Sequence, residues 1–326
     1  MKCFVIGNGG WGTALGMTLA GNGHDVTLWG PFEEEIAAIR AAGENTVYLP
    51  GVAIPSSIQW TSNPAGAKEA DLIVVVVPSR FVRSTLETFK PYLQENALIV
   101  SATKGLDEKT HQRMSEVAHD VLGRDIAILS GPSHAEEVAR GVPTAVTVAG
   151  TDFQTLEKIQ QAFSGKTFRV YTSDDVIGVE LGGTLKNIIA VAAGILDGIG
   201  LGDNSKAALM TRGLAEITRL GTALGAKPET FSGLSGIGDL IVTCASRHSR
   251  NRAVGERLGK GESLAEIMGG MKQVAEGVWN AKAARDLAKE HGIDMPITEE
   301  VCAIVEDGKD PRQALKDLMS RDPKAE

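Results

Sequence analysis

The 326-residue chain has few cysteines, few aromatic residues and only short aliphatic runs in its first half. Its three cysteines, Cys3, Cys244 and Cys302, are odd in number and far apart, which argues against a disulfide framework and favours a reducing compartment. The run Leu72–Val77 is too short to span a membrane, and the N-terminal MKCFVIG lacks the features of a signal peptide. We therefore expect a cytoplasmic protein without a membrane span.

Basic charge is also in deficit. Lysine and arginine number 33 against 41 aspartates and glutamates, a net charge of −8, which argues against nucleic acid as a partner. The six histidines show no spacing typical of metal ligands, so no metal site is expected. No nearby histidine forms a nucleophilic pair with Cys244, which disfavours thiol catalysis.

The first half alternates short apolar runs with amphipathic stretches. Runs that are apolar on both faces are typical of strands buried between two helix layers. The predicted strands are Cys3–Ile6, Val26–Trp29, Leu72–Val77, Ala97–Ser101 and Ile126–Leu129, with Ala145–Val148 and Phe168–Tyr171 as further candidates. The predicted helices between them include Thr13–Gly21, Glu33–Ala42 and Phe81–Leu93. This alternation predicts a parallel sheet with right-handed crossovers.

The character of the sequence changes after about Asp174. Stretches rich in Ala and Gly with helical periodicity follow, and no convincing strand remains. The predicted helices are Ile177–Ile199, Lys206–Leu224, Ala275–His291, Ile297–Glu306 and Pro311–Met319. We therefore predict an α/β fold, in which a Rossmann-type parallel-sheet domain (residues 1–174) precedes an all-α domain (residues 175–326).

The segment GNGGWG at residues 7–12 matches the pattern G-x-G-x-x-G between the first predicted strand and the first predicted helix. In such a loop Gly7 permits a tight turn, Gly9 lets the backbone approach a pyrophosphate, and Gly12 lets helix and strand pack closely. The helix N-terminus adds unpaired N–H donors. An ordinary glycine-rich turn is the alternative, but the flanking elements favour a dinucleotide-binding loop.

The choice between NAD and NADP stays open. NAD sites usually carry an acid at the end of the second strand, and NADP sites carry an arginine nearby. Here Trp29 is followed by Gly30, Pro31 and Phe32, so neither signal directly follows the strand. Glu33 could reach a ribose, although it is better placed to begin the next helix.

Two charged residues interrupt apolar stretches in the second half. Lys186 lies in LGGTLKNIIAVAAGIL and Asp239 in GIGDLIV. Burying an ammonium group costs free energy unless the group is paired or functional. Lys186 is therefore a candidate proton donor, and a surface lysine is the alternative. Asp239 could pair with Lys186, bind a substrate hydroxyl or cap the helix before Leu240.

The densest basic cluster of the chain is RHSRNR at residues 247–252. Arginine is suited to phosphate oxygens, and Ser249, Arg250 and Asn251 open a predicted helix that continues to Leu258. A solvated loop is the alternative. Lys104 follows the predicted strand that ends at Ser101, and parallel sheets bind ligands at the carboxyl ends of their strands. Lys104 is therefore a candidate site residue, and an ordinary loop lysine is the alternative.

Longer segments are similar to those of bacterial NAD(P)-dependent glycerol-3-phosphate dehydrogenases. In the first half they are GNGGWGTAL at 7–15, VVVPS at 75–79, ATKGL at 102–106 and SGPSHAEEV at 130–138. In the second half they are ELGGTLKNIIAVAAGILDGIGLGDNSKAALMTRGLAE at 180–216, GIGDLIVTCASRHSRN at 236–251, KQVAEGV at 272–278 and MPITEEV at 295–301. The similarity therefore covers nearly the whole chain.

This resemblance implies reversible reduction of dihydroxyacetone phosphate by NADH or NADPH to sn-glycerol 3-phosphate, the precursor for phospholipid synthesis. It implies that the first domain binds NAD(P), the second binds substrate, and Lys186 is the general acid/base. The implied substrate residues are Lys104, Gly131, Ser133, Asn187, Asp239, Thr243, Ser249, Arg250 and Asn251. The implied cofactor residues are Gly7, Gly9, Gly10, Trp11, Gly12, Lys104, Ala135, Arg250, Val274 and Glu276. A homodimer is implied by the resemblance alone.

Three positions depart from the usual family pattern. Gly10 stands where serine is usual, which removes a hydroxyl near the pyrophosphate, and His134 stands where phenylalanine is usual. The basic residue often found after Trp29 is missing, which weakens any argument for NADP. Two rival functions remain at this point: a related hydroxy-acid dehydrogenase, and a non-catalytic NAD(P) sensor.

Overall fold

A computed structural model describes residues 1–271 and 275–323. The chain divides into two compact units. The first contains Met1–Asp107 and Gln112–Glu180, and the second contains Glu108–His111 and the residues from Leu181 onward. The division falls inside a helix, at Glu180, whereas the boundary expected from the sequence follows Asp174.

The first unit is built on an eight-stranded sheet with the order β3-β2-β1-β4-β5-β6-β7-β8. The strands are β1 (Lys2–Ile6), β2 (Asp25–Trp29), β3 (Gln59–Thr61), β4 (Leu72–Val75), β5 (Leu98–Ser101), β6 (Ala127–Ser130), β7 (Thr144–Ala149) and β8 (Phe168–Ser173). The helices of this unit are α1 (Gly10–Gly21), α2 (Glu33–Ala42), α3 (Val82–Phe89), α4 (Met114–Leu122), α5 (Ala135–Val138) and α6 (Phe153–Phe163). The Rossmann-type sheet predicted from the sequence is confirmed.

Strands at the centre of this sheet are buried on both faces, as their continuous apolar sequences predict. In β4, all four residues of the sequence LIVV are buried. Successive residues face opposite layers: Leu72 and Val74 pack with α1 and α6, whereas Ile73 and Val75 pack with α3 and α4. The helices therefore cover the sheet on both sides.

One strand runs against the others. β7 pairs antiparallel with β6, and all other neighbouring strands are parallel. The connection between β6 and β7 contains only the four-residue helix α5. Such a helix is about 6 Å long, too short to return the chain along a strand of roughly 17 Å. The wholly parallel sheet expected from the alternation is thus corrected at this position.

The described residues of the second unit form helices and the segments that connect them, without a strand. Its helices are α7 (Val176–Gly198, which begins in the first unit), α8 (Asp203–Ala223), α9 (Asp239–Ala245), α10 (Arg250–Gly259), α11 (Leu264–Gly269), α12 (Glu276–Glu290), α13 (Pro296–Asp307) and α14 (Pro311–Met319). Within the described part of the chain, α7 is the one helix long and apolar enough to cross a membrane, and 83% of its most apolar window is buried. Its apolar sequence is accounted for by burial in the protein interior.

Glycines bring α7 and α10 into backbone contact. A Cβ on Gly194 would lie 2.0 Å from the carbonyl oxygen of Arg252, and one on Gly255 would lie 2.0 Å from that of Val191. Gly198 and Gly259, each four residues further along, repeat the pattern. The close approach fixes the start of α10 relative to the middle of α7, where Lys186 lies.

Candidate active site

The glycine loop has the geometry that its three pattern glycines predict. Gly7 has a φ of +132°, and a Cβ there would lie 2.6 Å from the carbonyl oxygen of Val76. A Cβ on Gly12 would lie 2.0 Å from the carbonyl oxygen of Gly7, so α1 packs directly on the loop. Gly9 has no atom within 4 Å of its missing Cβ. The space beside Gly9 suits the close approach of a dinucleotide pyrophosphate.

The departure at Gly10 has a structural reason in this chain. A Cβ on Gly10 would lie 2.6 Å from the backbone oxygen of Tyr48, in the segment that follows α2. Asn45 fixes that segment: its Nδ2 donates to the carbonyl oxygen of Asn8 at 2.8 Å and to Thr13 Oγ1 at 2.9 Å. The segment therefore occupies the volume that a serine side chain would need.

The end of β2 carries acidic side chains from α2. Glu33 begins α2, as expected, and its carboxylate accepts from Ser62 Oγ at 2.6 Å and from Arg40 Nη1 at 3.4 Å. The sequence reasoning missed Glu35, whose Oε2 accepts from Asn8 Nδ2 at 2.9 Å. Its position in the first turn of the helix that follows the second strand could have identified it as a candidate.

Trp11 and Ser130 hold the two buried polar side-chain atoms that lack a hydrogen-bond partner within residues 1–271 and 275–323. An unpaired buried polar group costs about 1–3 kcal/mol, which a ligand or water would offset. The Trp11 ring packs 6.4 Å from that of Phe168. Its Nε1 therefore fits a contact with a bound cofactor.

Other candidate residues of the first unit lie at the carboxyl edge of its sheet. Ala135 begins α5, and a Cβ on Gly10 would lie 3.7 Å from the Cβ of Ala135. His134 is the N-cap residue of α5. Phe32, three residues after the end of β2, and Phe81, six residues after the end of β4, were not predicted from the sequence as site residues. These residues are 62% and 46% exposed, which leaves their rings accessible for stacking against a planar ligand.

Lys104 and the segment after β6 meet at the same edge. Lys104 Nζ donates to the carbonyl oxygen of Gly131 at 2.9 Å and to Ser133 Oγ at 3.4 Å. Ser133 Oγ also donates to that carbonyl, at 2.9 Å. Gly131 has a φ of +136°, a conformation that favours glycine. The structure thus brings these three predicted substrate residues into one cluster.

In the second unit, Lys186 forms a buried cluster with Asp239 and Thr243. Lys186 is 6% exposed and Asp239 is 1% exposed. Lys186 Nζ donates to Asp239 Oδ1 at 2.9 Å and to Thr243 Oγ1 at 2.6 Å. Thr243 Oγ1 in turn donates to the carbonyl oxygen of Asp239 at 2.6 Å. The interpretation of Lys186 as a surface lysine is wrong, and Asp239 makes the predicted pair instead of capping its helix.

The turn before α9 positions this cluster. A Cβ on Gly182 would lie 2.4 Å from the carbonyl oxygen of Ser235, so α7 contacts the turn through backbone atoms. The turn Leu234–Gly238 is broken by Gly236, whose φ and ψ of −98° and −105° are not helical. A Cβ on Gly236 would lie 2.1 Å from the carbonyl oxygen of Phe231. Glycines at these two positions therefore let Asp239 begin α9 beside Lys186.

Two asparagines join three helices next to Lys186. Asn251 Nδ2 donates to Asn187 Oδ1 at 2.8 Å, and the backbone N–H of Gly277 donates to Asn251 Oδ1 at 2.9 Å. Asn187 Nδ2 donates to the carbonyl oxygen of Gly183 at 3.3 Å. The asparagines thus connect α7 and α10 to the first turn of α12.

The basic cluster divides into structural and exposed arginines. The helix α10 opens at Ser249, as predicted, and Ser249 is its N-cap residue, whose Oγ accepts the N–H of Arg252 at 3.2 Å. Arg252 pairs with Asp197, Nε to Oδ2 2.7 Å. Arg247 and Arg250 are exposed, and Arg250 lies in the first turn of α10, where the helix end favours anions.

The cofactor residues expected near α12 are only partly described. Glu276 begins α12, and its Oε2 accepts from Asn280 Nδ2 at 3.1 Å. Val274 lies outside the described residues.

Two buried glutamates escaped the sequence reasoning. Glu180 accepts hydrogen bonds from Arg113 Nη1 and from the backbone N–H of Ser115, and burial raises its pKa. Glu216 of α8 accepts the N–H groups of Ile297 and Thr298 at 2.7 and 3.2 Å, which caps α13. Burial raises the pKa of Glu216 to about 7. Glu180 thus connects α7 to the start of α4, and Glu216 connects α8 to the start of α13.

The Cys244 thiol is buried in this unit. Burial raises the pKa of the Cys244 thiol to about 12, so it stays protonated near neutral pH. Among residues 1–271 and 275–323, no group of three or more His, Cys, Asp and Glu side chains could hold a metal ion.

Comparisons with known proteins agree across the whole chain. The family described as NAD-dependent glycerol-3-phosphate dehydrogenase N-terminus matches residues 2–156, and the corresponding C-terminus family matches residues 175–316. A glycerol-3-phosphate dehydrogenase [NAD(P)+] from Moorella thermoacetica is 53% identical over 97% of this chain and 95% of its own. One from Chlorobium phaeobacteroides is 50% identical over 100% and 99%. The crystal structure of glycerol-3-phosphate dehydrogenase from Coxiella burnetii has a TM-score of 0.95 at 40% identity, covering 98% of this chain and 99% of that one.

Proposed function

The chain belongs to the NAD-dependent glycerol-3-phosphate dehydrogenase family, and from this premise we propose how its own residues carry out the family's reaction. The reaction is the reversible NAD(P)H-dependent reduction of dihydroxyacetone phosphate to sn-glycerol 3-phosphate. Its product supplies phospholipid synthesis. The two rival functions considered from the sequence are thereby set aside.

We propose that Lys186 is the general acid that protonates the developing alkoxide, and the general base in the reverse direction. The observation that carries this role is the hydrogen-bonded cluster of Lys186, Asp239 and Thr243 in a buried setting. Asp239 stabilises the ammonium form, and Thr243 accepts one of its three N–H groups, which orients the others. Reduction then proceeds without releasing a free alkoxide.

The glycine loop and its surroundings are proposed to hold the cofactor, whose nicotinamide supplies the hydride when bound. Gly7, Gly9 and Gly12 shape the loop for the pyrophosphate, and α1 directs its N-terminal N–H groups toward it. Further contacts are proposed from Gly10, Trp11, Lys104, Ala135, Arg250, Val274 and Glu276. The exposed rings of Phe32 and Phe81 are added as stacking surfaces.

The substrate phosphate is proposed to bind at the start of α10. Arg250 offers a planar pair of donors, and the first turn of the helix favours a dianion. Asn251 gives one Nδ2 hydrogen to Asn187, which leaves the other for a phosphate oxygen. Other contacts are proposed from Lys104, Gly131, Ser133, Asn187, Asp239, Thr243 and Ser249.

Steady-state kinetics with and without the substrate phosphate test this assignment. We expect Arg250→Ala to raise the KM for dihydroxyacetone phosphate by about 10- to 100-fold, the range for lost charge-assisted hydrogen bonds. At saturating NADH, which offsets the loss of the cofactor contact also proposed for Arg250, the same change should leave the reduction of dihydroxyacetone, which has no phosphate, nearly unaltered. Arg247→Ala removes an exposed arginine of the same cluster and should change the KM less than about twofold. Equal effects on both substrates would remove Arg250 from the phosphate site.

We also propose that the enzyme works in the cytoplasm as a homodimer. All three cysteines are buried and free, which fits a reducing compartment. Light scattering on the purified chain would support the dimer with a mass of two chains, and a mass of one chain would contradict it.

A further inference from the structure

Glu35 is fixed where the glycine loop meets the end of β2. The backbone N–H of Gly7 donates to the carbonyl oxygen of Trp29 at 3.0 Å, so the two segments are adjacent. Asn8 lies over the strand end, because a Cβ on Gly30 would lie 2.6 Å from its Cγ. The Nδ2 of Asn8 then holds the Glu35 carboxylate at 2.9 Å. A half-buried acid therefore occupies this junction.

The charge at this junction is negative. Glu33, Glu34 and Glu35 follow one another in the first turn of α2, and Arg40 is the only lysine or arginine between Lys2 and Lys68. Arg40 is directed elsewhere: its Nη2 donates to the carbonyl oxygen of Trp60 at 2.7 Å, and its Nη1 contacts Glu33 at 3.4 Å. Among these residues, none supplies a cation to balance Glu35.

The Tyr48 hydroxyl is close enough to Glu35 for its pKa to be affected by the negative charge. Burial raises the pKa of the Tyr48 hydroxyl, and the negative charge of Glu35 raises that pKa further. Tyr48 belongs to the segment that covers Gly10. The Glu35 carboxylate thus acts on the space around the first turn of the glycine loop.

In dinucleotide sites of this topology, the end of the second strand lies beside the adenosine ribose. An acid there accepts from the ribose 2′-hydroxyl of NAD and repels the 2′-phosphate of NADP. We propose that Glu35 sets the cofactor preference of this chain, so that it binds NADH more tightly than NADPH. This inference rests on the proposed cofactor role of the glycine loop.

Equilibrium binding of NADH and NADPH to the full chain tests the proposal without relying on turnover. The dissociation constants are measured by titration calorimetry for the wild type, Glu35→Gln and Glu34→Gln. Glutamine at position 35 keeps an oxygen that accepts from Asn8 and removes the charge. Glu34 is an exposed acid in the same helical turn, so Glu34→Gln controls for a general change of surface charge.

We expect the wild type to bind NADH about tenfold more tightly than NADPH, and Glu35→Gln to reduce this ratio by about tenfold, mainly by strengthening NADPH binding. Glu34→Gln should change the ratio less than about twofold. Added salt should narrow the wild-type ratio, because it screens repulsion.

Three results would overturn the proposal: tighter wild-type binding of NADPH, equal binding of both nucleotides, or an unchanged ratio in Glu35→Gln. Each of these leaves the glycine loop as the cofactor site. Absence of binding by either nucleotide to the wild type would instead refute the glycine-loop assignment together with this inference.

Discussion

Replacing Lys186 with alanine removes the proposed proton donor and also the partner of a buried carboxylate. Lys186 Nζ lies 2.9 Å from Asp239 Oδ1, and Asp239 is 1% exposed. The two consequences, on turnover and on folding, differ in origin and can be separated by the choice of variants.

The expected losses follow from this geometry. A positioned general acid contributes about 10²- to 10⁴-fold to turnover, or about 3–5 kcal/mol of activation free energy. Leaving Asp239 buried without its cation costs about 3–5 kcal/mol of folding free energy. This loss is a large fraction of a typical stability of about 5–15 kcal/mol, so the unfolding of Lys186→Ala has to be measured together with its turnover.

The assay follows NADH absorbance during reduction of dihydroxyacetone phosphate, with urea unfolding measured on the same samples. Lys186→Arg keeps a cation beside Asp239 but cannot release a proton near neutral pH, so it should lose turnover and retain most of the stability. The double variant Lys186→Met, Asp239→Asn removes both charges and should recover stability without recovering turnover. NADH binding should be largely unchanged in all three variants.

Near-normal turnover by Lys186→Ala or Lys186→Arg would refute the general-acid assignment. Turnover that recovered with stability in the double variant would show that Lys186 acts only through folding.

Two further predictions concern stability. The free energy of unfolding should fall as pH rises from about 4.5 through about 7. Burial raises the pKa of Glu216 from 4.5 to about 7 in the folded state, because the charged form is disfavoured there. The whole effect on the free energy of unfolding is about 3 kcal/mol. Urea unfolding at pH 5 and pH 8 should show a smaller pH dependence for Glu216→Gln, and an unchanged dependence would contradict this cause. Gly194→Ala should lower the free energy of unfolding by about 1–3 kcal/mol or more, because its Cβ would lie 2.0 Å from the carbonyl oxygen of Arg252. Gly21→Ala, in helix α1 with nothing within 4 Å of the new Cβ, is the matched control and should be neutral or stabilising; equal destabilisation of both would refute the packing argument.

Much of the fold follows from local sequence. The buried strands β1, β4 and β5 are read from continuous apolar runs, because both of their faces are covered by helices. Strand β3 was not predicted, since its three residues include only one buried side chain. The direction of β7 was also not predictable from periodicity, because an apolar run looks the same in either direction. It was decided by the short connection through α5.

In the candidate site, too, some features follow from local sequence and others depend on tertiary contacts. By itself, the sequence determined the glycine loop, the capped start of α10 at Ser249 and the family motifs, because these are local patterns whose residues are neighbours in the chain. Only the tertiary structure decided the contact of Lys186 with Asp239, 53 residues apart, and of Asn8 with Glu35, 27 residues apart. Such contacts depend on how closely helices and strands approach, and glycines at positions such as Gly182 and Gly30 set that distance. Packing geometry of this kind is a property of the assembled chain, which no local pattern encodes.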